Sequence, residues 1–114
     1  MRDDRLYLIH ICECIDRIEK YTCSGKKEFF ENTKTQDAVL RNLQTLGESA
    51  RHASEELKAN HPEVKWRRIV GFRNVLVHEY LGLKLDLVWE VVDQFLPELK
   101  STIQAILKEI GEEP

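Results

Sequence analysis

What this chain lacks narrows it first. Among 114 residues there are only three cysteines, Cys12, Cys14 and Cys23, an odd number with no pair at Cys-x2-Cys spacing. That excludes a disulfide framework and a cysteine-based zinc box, and it leaves reduced thiols of the cytoplasmic kind. No uniformly apolar run occurs. Met1-Arg2-Asp3-Asp4-Arg5 is charged and leads straight into an amphipathic segment, which speaks against a secretory leader or a membrane span. Excess positive charge is missing too, since 17 Lys and Arg face 20 Asp and Glu for a net charge of -3. A protein that grips nucleic acid by bulk charge needs the opposite balance, so any such binding must be local. Period-two alternation, internal repeats and low-complexity tracts are also absent. The length suits one domain over 1–114 with one core.

What is there is helical periodicity. Over residues 4–22, Tyr7, Ile11, Cys14, Ile18 and Tyr21 recur at steps of four and three, with Leu8, Cys12 and Ile15 beside them. So wide a face predicts a helix touching two neighbours. Thr22 to Gly25 punctuate it, and Phe29 and Phe30 suggest a short helical turn near 26–33 that plugs one end of the core. Val39, Leu43, Leu46, Ala50, Ala53 and Leu57 trace a second helix ended by Asn60-His61-Pro62, with Gly47 among its small residues for close packing. Pro62 can open a third, running to about Leu81 and stopped by Gly82. Asp86 is an N-cap candidate for a fourth, traced by Val88, Val92, Phe95, Leu99, Ile103, Ile106 and Ile110, in which Pro97 should produce a kink. The expected architecture is all-α, an antiparallel four-helix bundle.

The third helix carries the most chemistry. With Arg73 set at zero on a helical wheel, Ile69, Phe72 and Leu76 fall at roughly 320°, 260° and 300°, a core stripe. Asn74 and His78 fall at roughly 100° and 140°, one turn apart, so Arg73, Asn74 and His78 offer phosphate-handling groups away from that stripe. Trp66, Val70 and Val77, at roughly 20°, 60° and 40°, put apolar surface on the same flank. A second copy of the chain is the simplest cover, and it would bring a second Arg73 and His78 to one seam. The plainer alternative is an Arg in a salt bridge, a satisfied His and a Tyr80 at the core edge.

Other groups have bland readings beside functional ones. Cys12 and Cys14 point apart on a helix and read as packing thiols. Arg41, Glu48, His52 and Glu55 share a face that is commonly just solvated, although Glu48 beside Gly47 could reach a site. Lys58, Lys65, Arg67, Arg68 and Arg73, interleaved with Trp66, form a local basic run that could guide RNA or be a simple surface patch.

Arg73-Asn74-Val75-Leu76-Val77-His78-Glu79-Tyr80 resembles the Arg-x4-His-x-Tyr motif of the HepT toxins, a branch of the HEPN superfamily. Gln36-Asp37-Ala38-Val39-Leu40-Arg41-Asn42-Leu43, Leu46-Gly47-Glu48, His61-Pro62, Trp66-Arg67 and Leu96-Pro97-Glu98-Leu99 are similar to that family in its order, so the likeness covers nearly the whole chain. Ser49 stands where the family's alanine is expected. The resemblance implies a HEPN-like bundle and a cytoplasmic RNase toxin of a type VII-like toxin–antitoxin pair. It implies a homodimer without a cofactor or metal, and neutralisation by a minimal nucleotidyltransferase antitoxin that transfers AMP to Tyr80. The motif's Arg and His carry over as catalytic residues to Arg73 and His78. Asn74 would orient the pocket, and Lys65, Arg67 and Arg68 are candidate RNA contacts.

RNA brings its own nucleophile, the 2′-hydroxyl, so cleavage needs a base, an acid and positive charge on the phosphorane. Two His78 side chains across a seam could share the proton work while Arg73 holds the phosphate. A rival of a different class is a non-catalytic adaptor that binds a nucleotide or the nucleotidyltransferase, with Arg73 and His78 as mere phosphate ligands.

Overall fold

The computed structural model describes residues 2–78, 82 and 84–111, and these are helical nearly throughout, with no strand among them. In chain order the helices are α1 (Arg2–Tyr21), α2 (Lys26–Glu31), α3 (Thr33–His52), α4 (Glu55–Asn60), α5 (Trp66–His78), α6 (Leu85–Glu90) and α7 (Leu96–Gly111). A π-helical turn, Val91–Phe95, joins the last two into one interrupted helix.

Four long elements make the bundle. On α1, Leu8, Ile11, Cys14, Ile15 and Ile18 are fully buried, against Val39, Leu43, Leu46 and Ala50 of α3 and Leu99, Ile103 and Ile106 of α7 in one core. Cross-contacts fix the directions. His10 Nδ1 lies 2.6 Å from Ser49 Oγ and the Tyr7 ring stacks on His52, so α3 runs antiparallel to α1. Lys100 reaches Asp16 at 2.8 Å and Glu19 at 3.0 Å, tying α7 to the far end of α1. Gly25, at a φ of +96°, makes the reversal after α1 in a region that glycine enters without a Cβ penalty. Phe29 of α2 plugs that end, its ring 5.4 Å from Trp89. Asn32 caps α3 by accepting from the Lys34 and Thr35 N–H groups.

Several boundaries differ from the periodicity, each for a local reason. The second predicted helix is two. α3 stops at His52, Ala53 is extended, and Ser54 starts α4 by accepting from Leu57 N–H at 3.1 Å. The break is held from α1, where buried Asp4 accepts from Ser54 N–H at 2.9 Å and from its hydroxyl at 2.6 Å. Pro62 does not open α5. Buried Val64 and the bond from Trp66 Nε1 to the His61 carbonyl shape residues 61–65 into a turn, and the helix starts at Trp66. The predicted end of that helix at Leu81 lies outside the described residues, as does Tyr80. Asp86 sits in the first turn of α6, where its charge suits the helix dipole, and Lys84 holds the N-cap position without a side-chain bond. Where the sequence predicts a kink at Pro97, the helix instead carries a π-helical turn just before the proline. Proline offers no N–H to the Asp93 carbonyl, and the preceding turn widens so that Leu96 N–H donates to Val91, five residues back.

α3 packs on both α1 and α5, and α1 packs on α7. α5 and the π turn do not close fully on each other: they form opposite walls of a groove of about 590 Å³ over Leu43 and Leu46.

Candidate functional site

Where α5 crosses α3, the sequence puts a glycine. A Cβ on Gly47 would overlap Arg73 Cβ and come within 2.8 Å of its Cγ. The bare backbone lets Arg73 lie against α3 instead of pointing to water, and the side chain is only 25% exposed. Its Nη2 reaches Glu48 Oε1 at 2.8 Å, and Nη1 donates to Asn74 Oδ1 at 3.1 Å. The Glu48 contact is one of charge rather than of alignment, because Oε1 is shielded from solvent and has no well-directed hydrogen bond.

Glu48 gathers three basic side chains. Arg51 Nη2 lies 2.7 Å and His52 Nε2 3.0 Å from its other oxygen, Oε2. The Arg51 hydrogen bond first, then the Arg51 and Arg73 charges and the His52 bond, hold its carboxyl below the usual glutamate range against some desolvation. Arg41, Gln44, Thr45, Glu48, Arg73 and Val77 enclose a shallow cleft of about 240 Å³ beside this cluster. In sequence Glu48 reads as one charge on a stripe that, beside Gly47 and within the family-like Leu46-Gly47-Glu48, could reach a site; the structure shows that it reaches Arg73.

His78 ends the described part of α5 with its side chain exposed, one turn beyond exposed Asn74. The structure thus joins Arg73 to Asn74 and adds Glu48, while His78 lies one turn further along α5 and faces solvent. Val77 is 42% exposed, as a covered seam would need. Trp66 corrects the expected flank: it is 8% exposed, packs in the core and donates its Nε1–H to the His61 carbonyl at 3.0 Å. Val70 likewise packs against the core. Of the basic run, Lys65, Arg67 and Arg68 are exposed; Lys65 and Arg68 border the groove, and the Arg68 guanidinium sits 5.7 Å from the Phe95 ring centre.

The cysteines fall to packing. Burial pushes the Cys12 and Cys14 thiols up, away from the reactive thiolate. Ser49 had no evident role in sequence, yet it is buried and bonded to His10, 39 residues away, a separation no local pattern reveals. Among the described residues no three His, Cys, Asp or Glu side chains gather as a metal ion would require. No helix among them is long and apolar enough to cross a membrane.

The all-helical bundle presents Arg-x4-His from one helix, with the Arg seated on a neighbouring Gly-Glu pair, and this accords with the HEPN-type fold that the family match supports. Residues 11–106 match the model of the family described as Ribonuclease HepT-like, and the chain belongs to that family. It is 34% identical over 110 residues to a Methanocaldococcus jannaschii protein whose name assigns it gamma-glutamylcyclotransferase and, provisionally, RNase; the match covers 96% of this chain but 50% of that one. It is 34% identical to a Thermococcus cleftensis protein provisionally named ribonuclease HepT, over 94% of this chain and 98% of the relative. The mRNA nuclease HepT of Shewanella oneidensis is 28% identical, over 87% of this chain and 92% of its own. No solved structure matches.

Proposed function

We propose that this chain is a metal-independent endoribonuclease, the toxin of a type VII-like toxin–antitoxin pair, acting in the cytoplasm as one HEPN domain in a homodimer. The observation that carries the reading is Arg73 braced by Glu48 and Asn74 on the helix that presents His78, in a chain of the HepT-like family. Glu48 absorbs part of the Arg73 charge and fixes its fork, leaving guanidinium edges for a phosphate. His78 is open to solvent and substrate. In the reaction, one His78 takes the 2′-hydroxyl proton as its oxygen attacks phosphorus. Arg73 stabilises the phosphorane, and the partner's His78 protonates the departing 5′-oxygen, leaving a 2′,3′-cyclic phosphate.

Control rests on Tyr80. A minimal nucleotidyltransferase would pass AMP from ATP to its phenolic oxygen with release of pyrophosphate, two residues beyond His78 in sequence. The added phosphate would compete for Arg73, and the adenosine would fill space needed by RNA.

The test is cleavage of RNA in excess EDTA. Wild type should turn over, and His78→Ala or Arg73→Ala should lose about 10²- to 10⁴-fold, the range for general acid–base catalysis, while keeping helical circular dichroism. Binding without turnover in the wild type would make the chain an adaptor. Co-expression with the nucleotidyltransferase should add AMP to the Tyr80 peptide by mass spectrometry, and Tyr80→Phe should escape neutralisation.

A further inference from the structure

The groove between α5 and the π turn is unused by this chemistry, and it has a shape, a charge pattern and a position that suit one occupant. Resting on the ribonuclease reading, we propose that it seats an unstacked nucleobase of single-stranded RNA flanking the cleavage site, with preference for bases that carry an exocyclic amino group.

The volume, about 590 Å³, falls in the range of sites that enclose small ligands, roughly 300–1,000 Å³. Its floor is apolar and partly aromatic, with Leu46, Ile69, Phe72, Val91 and Phe95 among the lining residues. A base splayed from a single strand gains by entering such a floor, whereas a paired base is not free to do so. The lips differ in charge. Lys65 and Arg68 stand on the α5 side, Glu90, Gln94 and Glu98 on the other. Cations on the lip toward the catalytic helix can hold the phosphate that follows the base. Carboxylates on the far lip would repel a phosphate but accept from an amino group, which uracil lacks. Arg68 over Phe95 adds a flat cation at the mouth on which a base can stack.

Position links the groove to the chemistry. Gly71, Val75 and His78 follow one another at i, i+4 and i+7, a single stripe of α5, and both Gly71 and Val75 line the groove. Arg73 leans onto α3 from the other side of α5, so an RNA strand that leaves the Arg73 cleft and crosses exposed His78 meets this stripe and, along it, the groove mouth. The mouth stays open for two structural reasons. Gly71 has no side chain, and a Cβ placed there meets nothing within 4 Å. The opposite wall is the π turn Val91–Phe95, which brings Val91, Gln94 and Phe95 to the lining. Such turns recur at functional sites because they re-aim side chains off the regular helical track.

The proposal is tested with the full chain and oligoribonucleotides made uncleavable by complete 2′-O-methylation, read by fluorescence anisotropy. Replacing the base at one position by an abasic unit should weaken wild-type binding about five- to a hundredfold, the span of base stacking, with little effect at positions further away. Uracil at that position should bind more weakly than adenine or cytosine. Gly71→Leu, which enters open space, should erase that positional dependence, keep the salt-dependent background binding and leave the circular dichroism unchanged. Uniform abasic effects in the wild type, or a positional effect that survives Gly71→Leu, would overturn the base seat while cleavage by the wild type left the ribonuclease reading standing. A base-dependent binder with no turnover would sink the ribonuclease reading alone. Conversion of a dimer to monomers by Gly71→Leu in sedimentation would show that a second copy fills the groove, and would overturn the proposal.

Discussion

At the scale of single residues, Glu48 decides the most. Its carboxylate pairs with Arg51, His52 and Arg73, and it joins the solvated face of α3 to the helix that bears the motif. Its folded pKa is below its ordinary value. Its contribution to stability is therefore fully present above the ordinary glutamate pKa, about 4.3, and is lost as pH falls through the lower folded value. Melting temperature followed from pH 6 downward should show an acid decline below about pH 4.5 in the wild type that is shallower in Glu48→Gln. The same substitution should reduce RNA cleavage at neutral pH by about ten- to a hundredfold, because Arg73 loses its brace while keeping its charge. A Glu48→Gln protein with wild-type turnover would show that Arg73 needs no positioning. Sequence periodicity could place Glu48 on a face but could not say what faced it; the answer comes from α5, 25 residues further on.

At the scale of elements, the crossing of α3 and α5 is set by Gly47. Gly47→Ala puts a methyl inside the volume of Arg73 Cβ, an atom that moves only if α5 does. Overpacking of that kind costs about 1–3 kcal/mol, and here it should also displace Arg73 and reduce cleavage. Gly71→Ala is the matched control. It faces open space on the exposed side of the same crossing helix, and alanine should stabilise it by about 0.5–1 kcal/mol over glycine. Chemical denaturation of the two variants separates a packing requirement from a helix-propensity effect. The sequence pointed to Gly47 as a close-packing residue, and that reading holds. Its failures at this scale were all at ends and junctions. The α3–α4 break depends on Asp4, 50 residues before Ser54, and the turn before α5 on a Trp66 side chain reaching back to a backbone carbonyl. Neither tie is visible to a window that slides along the chain.

At the scale of the molecule, the proposed dimer would cover the outer face of α5. Val77 is exposed beside the Arg73 cleft, whereas Trp66 and Val70 serve the protein's own core. The seam proposed for the dimer is accordingly narrower than the wheel suggested and centres on Val77 and His78. Val77→Asp should shift the protein from dimer to monomer by sedimentation and abolish cleavage together, with helical content retained, since an exposed site carries no core penalty. Monomers that still cleave RNA would show that each chain holds a complete site.

The sequence by itself determined the all-α class, the four main apolar stripes, the irregularity demanded by Pro97 and the presence of Arg73, Asn74 and His78 on one helix. These follow from local periodicity and from backbone chemistry that acts within a few residues. Only the tertiary structure decided that Arg73 leans onto Gly47 and Glu48, that Trp66 is a core residue, and that a groove stays open between α5 and the π turn. A wheel gives the direction in which a side chain leaves its own helix. What it meets there depends on how closely the next helix can approach, and that is fixed by contacts between residues far apart in the chain.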